Sequence, residues 1–343
     1  MKLPEFFGLD IGNHSLKIAQ VKYLGTEVAQ LLKLARADIV GGVIGSNDIP
    51  NLAKEIKNLK ETAGINTNKV VIALPESSIF SRLILLPDVD ESKLEQAIYY
   101  EAKQYLPVTI DEVQLEWVQV SRAERDGKTF VQWMIVAAPK KVVAKYMEVM
   151  DLAGLEVIAV ETETIATARA YTYNTFFNEG VLVMDFGGTN TDISVIMGKN
   201  VIFSQSIGTG SDVLTKALMS EFNLDILQAE QYKRTYGLLK DQAEGKIAGA
   251  LEPMMKIITN EINKTINYFR EHLRENTPKQ IYIVGDGANL PGLAQYLTQT
   301  MGIPAQVMDP IISLKVDDRM KAEISQISTT GFSVALGLAL KTE

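Results

Sequence analysis

Two turns of this chain are written alike. Gly8-Leu9-Asp10-Ile11-Gly12-Asn13-His14-Ser15-Leu16-Lys17 is an apolar strand ending in Asp-x-Gly, then polar turn residues, then a second strand. Asp185-Phe186-Gly187-Gly188-Thr189-Asn190-Thr191-Asp192 repeats the design, and 185 − 10 = 175 places the copies about half of the 343 residues apart. One Asp-x-Gly is an ordinary hairpin, but two at half-chain spacing predict a duplicated fold whose halves each open on a strand hairpin. Gly12 and Gly187 permit tight turns that leave backbone N–H groups facing outward, as an anionic phosphate requires. Asn13, Ser15, Lys17, Gly188, Thr189, Asn190 and Thr191 set polar groups beside those amides, and His14 reads as a turn residue next to them. Asp10 and Asp185 sit where their strands end, placed to hold the water shell of a divalent cation.

The rest of the chain reads as α/β. Strands are expected at Phe6–Ile11, Leu16–Tyr23 and Val28–Asp38, then a helix with Leu52, Ile56, Leu59 and Ala63 at helical spacing, closed by Gly64, then a buried strand at Lys69–Leu74. Residues 80–157 read as an inserted α+β unit: a strand at Leu83–Leu86, a helix opened by a Ser92/Glu95 capping box, strands at Val113–Ser121 and Thr129–Ala138, and a helix from Lys140 to Ala153. The first of those helices carries Leu94, Ala97, Ile98, Ala102 and Tyr105 on one apolar face, which assigns Tyr105 to the core and leaves Tyr99 free for an interface. In the second half, helices are expected from Asp212 to Tyr236, broken at Asn223, and from Leu251 to Leu273. A strand at Gln280–Val284 then meets Gly285-Asp286-Gly287-Ala288, a helix starts near Pro291, and a buried helix runs from Thr330 to Leu340. The expected boundaries are 1–79, 158–177 and 328–343 for the first half, and 178–327 for the second, with a helical subdomain at about 212–278.

Composition narrows the function classes. With 34 Lys and Arg against 42 Asp and Glu, the net charge of −8 lacks the surplus that nucleic-acid binding needs. The absence of cysteine and the presence of only two histidines, His14 and His272, leave no Cys- or His-based zinc site and no thiol nucleophile. The longest nearly apolar stretch, Gly331–Leu340, is too short to span a bilayer.

The two hairpins, the Gly285 turn, Val157–Tyr171 between the halves and the final helix, in that order, resemble the actin, sugar-kinase and heat-shock chaperone ATPase superfamily, a ribonuclease H-like duplicated fold. The resemblance implies ATP and Mg²⁺ in a cleft between the halves. By it, Asp10 and Asp185 position Mg²⁺ through water, while Gly12, Asn13, His14, Ser15, Lys17, Gly187, Gly188, Thr189, Asn190 and Thr191 belong to the phosphate loops. Gly285, Asp286, Gly287 and Ala288 form the adenosine turn. Glu163 matches the glutamate that orients the attacking water, with Glu161 competing for that role. Glu230 and Lys233, one helical turn apart after Gly208-Thr209-Gly210, match the helix that covers ribose and base.

The insert after Lys69–Leu74 is similar to that of the FtsA and PilM branch. Ser81–Pro87, Leu94–Pro107, Val136–Val143 and Ala153-Gly154-Leu155 resemble the pilus-assembly PilM family in particular. That resemblance implies a cytoplasmic ATP-binding scaffold of type IV pilus assembly, with at most slow ATPase activity. By the same resemblance, the chain would bind the cytoplasmic tail of a PilN-like inner-membrane protein in a groove against Lys69–Leu74, Ser78, Ile79, Arg82, Leu83 and Tyr99, and other inner-membrane platform proteins of the pilus. No trailing amphipathic helix follows the last helix, so attachment to the membrane's inner face is expected to be indirect. A small-molecule kinase and an FtsA-like filament former stay open as alternatives, as do a homodimer and a related secretion or competence system.

Overall fold

The computed structural model describes residues 3–25, 28–39, 48–125, 127–272 and 276–342. In the first half, β1 (Phe7–Ile11), β2 (Ser15–Tyr23) and β3 (Ala29–Asp38) form an antiparallel meander. The helix α1 (Ile49–Thr62) carries the chain back to β4 (Lys69–Leu74), parallel to β1. α1 starts on Asp48, whose carboxylate accepts the Asn51 N–H at 3.1 Å, and turns Leu52, Ala53, Ile56 and Leu59 inward.

Next come β5 (Phe80–Pro87), α2 (Glu91–Lys103), β6 (Val113–Arg125), β7 (Lys128–Pro139), α3 (Lys140–Leu152), β8 (Glu156–Thr162) and α4 (Glu163–Thr172). β5, β7 and β6 make a separate three-stranded sheet, which packs its own core from Ile84, Ile98, Ala102, Ile110, Val113, Ile135 and Ala137. That core ends the insert at Pro139. α3 buries Tyr146, Val149 and Met150 among the α1 side chains, and β8 pairs with β4 as the fifth strand of the first sheet, so residues 140–157 belong to the first half and not to the insert. The Ser92/Glu95 capping box does not form, because α2 begins two residues earlier with Asp90 at its N-cap. α2 also stops before Tyr105, which is 44% exposed and outside the core.

The second half repeats the first. β9 (Phe177–Phe186), β10 (Thr191–Gly198), β11 (Asn200–Ile207), β12 (Gln280–Val284) and β13 (Ala305–Val307) form a sheet in the order β11-β10-β9-β12-β13, matching β3-β2-β1-β4-β8. α5 (Ser211–Phe222) ends at Asn223 in the left-handed conformation, φ 51°, and a capping box between Asp225 and Gln228 opens α6 (Ile226–Tyr236). α7 (Lys246–His272) buries Leu251, Met255, Ile258, Ile262, Ile266 and Phe269; Leu273 and the His272 side chain lie outside the described residues. α8 (Leu293–Met301) starts after Gly292, so Pro291 precedes the helix, and its carbonyl accepts the Leu238 N–H at 2.8 Å.

Two helices join the halves. α9 (Asp318–Ile324) leads to α10 (Ser333–Ala339), buried at every residue, which crosses α4. At the crossing Gly337 lies against the Ala166 carbonyl so closely that no Cβ fits there.

Candidate functional site

A cavity of about 1120 Å³ opens between the halves, lined by both Asp-x-Gly hairpins and by the Gly285 turn. The hairpins close identically: the Gly12 N–H donates to the Ser15 carbonyl and the Gly187 N–H to the Asn190 carbonyl, each at 3.0 Å. In the ladders Asp10 faces Lys17 and Asp185 faces Asp192, so the 175-residue offset carries Lys17 onto Asp192. One half therefore presents an acid with a cation, and the other an acid with a second acid. Gly285, at φ 90°, lies against the Asp185 carboxylate and the Phe186 backbone, where a side chain has no room.

The cavity has more negative charge than its own cations offset. Burial pushes Asp10 up to about 6 against the pull of Lys17. Asp185 rises to about 8, through burial and then the charges of Asp192 and Asp10. Asp192 rises to about 7 through burial, partly opposed by a hydrogen bond from Ser206. Glu163, the first residue of α4, is held well above the usual carboxylate range by burial, Asp192 and Asp10. Asp286 shows the opposite balance: burial would raise it, but Lys17 at 2.9 Å and Arg36 at 2.8 Å outweigh that and lower it. The Asp192 Oδ1 atom is buried with no hydrogen-bond partner. Carboxylates raised by burial and then by one another's charge, with an orphaned oxygen among them, fit a hard divalent cation such as Mg²⁺. Among the described residues no three His, Cys, Asp or Glu side chains converge closely enough to ligate an ion by themselves.

Contacts across the cleft draw the two Asp-x-Gly loops together. His14 Nε2 lies 2.6 Å from Asp212 Oδ2 in the first turn of α5, its ring rests on Gly188, and the Asn13 amide donates to Thr189 Oγ1. Lys17 sits 3.8 Å from Asp10 as well as touching Asp286, so its charge is already shared between two carboxylates. Lys233 is buried and donates to Ser211 Oγ at 2.7 Å and Thr215 Oγ1 at 2.8 Å, with Glu230 at 2.7 Å; it ties α6 to α5 at the cavity edge. Glu163 lines the cavity and accepts the Glu76 N–H at 3.0 Å. Glu161 does not reach it, being held by Arg169 at 2.6 Å and Lys341 at 2.8 Å.

Some expected positions fall elsewhere. Thr191 is buried, its hydroxyl donating to the Thr209 carbonyl, and Ala288 is buried under its turn. Gly210 packs beneath the Gly188 carbonyl, which lets the Ser211 and Asp212 N–H groups donate to the second loop, and Gly208 faces a different cavity.

The sequence profile described as "Type IV pilus assembly protein PilM" matches residues 8–343. The chain belongs to the PilM family. A solved structure described as "PilM-PilN type IV pilus biogenesis complex" is 30% identical, covers 98% of both chains and superposes with a TM-score of 0.85. Cell division protein FtsA of Enterococcus hirae is 21% identical over 90% of this chain and 79% of its own length. MreB 5 of Spiroplasma citri bound to AMPPNP is 16% identical, covers 97% of this chain and 94% of its own, and superposes at 0.53. These likenesses place the fold with the actin-like ATPases. No helix among the described residues is long and apolar enough to cross a membrane.

In this PilM-family chain a second cavity, of about 370 Å³, lies between the insert and the second half. Its floor includes Ile79, Ala102, Leu106, Ile135 and Ala137; Ser204, Gln205 and Ser206 of β11 form a polar wall. Arg82 stands at its edge with its guanidinium 3.7 Å from the centre of the Tyr105 ring. Of the expected groove residues, Ile79 and Arg82 line this space. Ser78 lines the larger cavity instead, Leu83 packs against the cluster of Val195, Ile202 and Phe269, and Tyr99 stands apart, edge-on to Tyr100. β4 cannot receive a peptide strand, since β1 and β8 occupy both its edges and Val70–Leu74 are buried.

Sequence reasoning missed Arg36, Tyr146, Asp192 and Arg234, all of which line the larger cavity. The duplication offset was signal enough for Asp192. Tyr146 had none, because its ring belongs to the apolar core of α3.

Proposed function

We propose that this chain is a nucleotide-dependent scaffold of type IV pilus assembly: it binds Mg-ATP between its halves and receives the cytoplasmic tail of a PilN-like inner-membrane protein at the second cavity. The observation that carries the nucleotide reading is the pair of matching turns facing one cavity in which Asp185 stands opposite a second acid, Asp192. Mg²⁺, when bound, would supply positive charge to the phosphates. Asp10 and Asp185 would hold its water shell, the Gly12 and Gly187 loops would offer N–H groups to phosphate oxygens, and the Gly285 turn would pack on the base. Glu163 would be the group that accepts a proton from water, and at most slow hydrolysis is expected from a single such carboxyl, whose proton burial and the charges of Asp192 and Asp10 retain. A ligand touching both halves favours their closed arrangement by its difference in affinity for the two forms.

The partner reading rests on membership of the PilM family and on the apolar floor and polar wall of the second cavity, which suit an extended peptide bearing apolar side chains. The chain would then be cytoplasmic, held at the membrane by its partners. Titration calorimetry with ATP, with and without Mg²⁺, tests the clamp; micromolar binding that needs Mg²⁺ is expected, and its absence rejects it. Fluorescence anisotropy with the tail peptide tests the groove, with Arg82→Ala and Tyr105→Ala each expected to weaken binding about tenfold or more. Phosphoryl transfer from ATP to a sugar or acetate would reject the scaffold reading in favour of a kinase.

A further inference from the structure

The two cavities share a wall built from hydrogen-bonded side chains. Ser77 and Asn190 line both spaces. Glu76, between β4 and β5, faces two ways: its N–H donates to Glu163 Oε2 at 3.0 Å in the larger cavity, while its buried carboxylate faces the smaller one. There it accepts from Thr164 Oγ1 at 2.9 Å and Ser81 Oγ at 3.3 Å, and Ser81 Oγ lies 2.5 Å from Ser204 Oγ. One residue thus touches α4, the insert's β5 and, through a serine, the second half's β11.

A second connection runs alongside. Ser206, which lines only the smaller cavity, accepts the Asn190 amide at 3.1 Å and hydrogen-bonds the Asp192 carboxylate. Asn190 closes the second Asp-x-Gly turn and Asp192 lines the larger cavity. That loop is thus hydrogen-bonded to Ser206, as Glu163 is to Glu76.

Resting on the functional reading above, we propose that Glu76 and Ser206 are the positioning residues that transmit the state of the nucleotide cavity to the second cavity, making the latter an effector site whose shape is set by bound nucleotide. Neither side chain lines the nucleotide cavity, so both act through Glu163, Asn190 and Asp192. By reciprocity, a peptide that prefers the nucleotide-set shape raises nucleotide affinity by the same factor.

Amide hydrogen exchange on the full chain, with and without Mg-AMPPNP, tests this, with calorimetry confirming occupancy in each sample. Nucleotide is expected to slow exchange at residues 79–82 and 204–208 by at least about fivefold, besides protecting both phosphate loops. Ser206→Ala should abolish the effect at 204–208 while the loops stay protected, and Ser206→Thr should restore it. Glu76→Gln should do the same at 79–82, and is isosteric should Glu76→Ala fail to fold. Protection confined to the loops in the unmodified chain, or full protection of the second cavity in Ser206→Ala and Glu76→Gln, would overturn the proposal. Absence of nucleotide binding in calorimetry would overturn the clamp reading and this inference with it.

Discussion

Lys17 of the first half grips Asp286 of the second at 2.9 Å in the inter-half cleft. Arg36 takes the same carboxylate from the more exposed side. Removing Lys17 leaves Asp10 with no adjoining cation, so Lys17→Ala is expected to cost on the order of 3 kcal/mol of unfolding free energy. Arg36→Ala should cost about 1 kcal/mol or less. Urea titration of both variants checks the ranking, and a costlier Arg36→Ala would contradict it.

Asp185 should show opposite effects with and without ligand. Its buried charge is opposed by Asp192 and Asp10, so Asp185→Asn is expected to raise the melting temperature of the ligand-free protein at pH 8. The same change should weaken Mg-ATP about tenfold or more. Thermal scans and calorimetry on one preparation decide both.

The raised carboxyls also set a pH dependence. Asp10, Asp192 and Asp185 are held at about 6, 7 and 8, above their unfolded value near 4. The stabilisation from their neutral forms is complete below pH 4 and is lost as pH rises through 6 to 8. In EDTA, unfolding free energy should therefore decline over that window. Saturating Mg²⁺ and nucleotide should flatten the decline, and binding at pH 6 should release protons, measurable as buffer-dependent enthalpy.

At the helix crossing, Gly337→Ala forces a methyl group into the Ala166 carbonyl. α4 and α10 must then separate, and a loss of about 3 kcal/mol or failure to accumulate as folded protein is expected. Gly249, with open space around it, is the control: Gly249→Ala should be neutral or slightly stabilising by circular dichroism melts.

His14 spans the loops to Asp212 at 2.6 Å where the phosphates are proposed to lie. His14→Ala should speed association of a fluorescent ATP analogue in stopped flow by a few-fold while changing stability by less than about 1 kcal/mol. Slower association would mean that the imidazole assists the phosphates rather than competing with them.

The duplicated architecture was legible because it is written in local signals: apolar strands of fixed length, glycines where turns must be tight, and a spacing that repeats. The two loops and the Gly285 turn followed from the same signals. What stayed hidden depends on contacts between distant segments. Nothing local distinguishes α3 as a first-half helix, since its apolar face suits either core and only packing beside α1 decides. Lys17 and Lys233 were expected to meet a ligand, and their contacts with Asp286 and Ser211 could not be read because those partners lie far off in sequence or in another element. Tyr105 fitted the spacing of α2 but lies beyond the helix end, where periodicity no longer holds.

The inserted sheet leaves the first half at Phe80 and comes back at Pro139, and Phe80 pairs with Ala137 in the ladder. Exit and re-entry are therefore neighbours, and the strands between them contribute nothing to either five-stranded sheet. Such an attachment makes the unit exchangeable: a gene encoding the two five-stranded sheets can acquire, lose or swap the inserted unit at one point of the backbone while both halves stay intact.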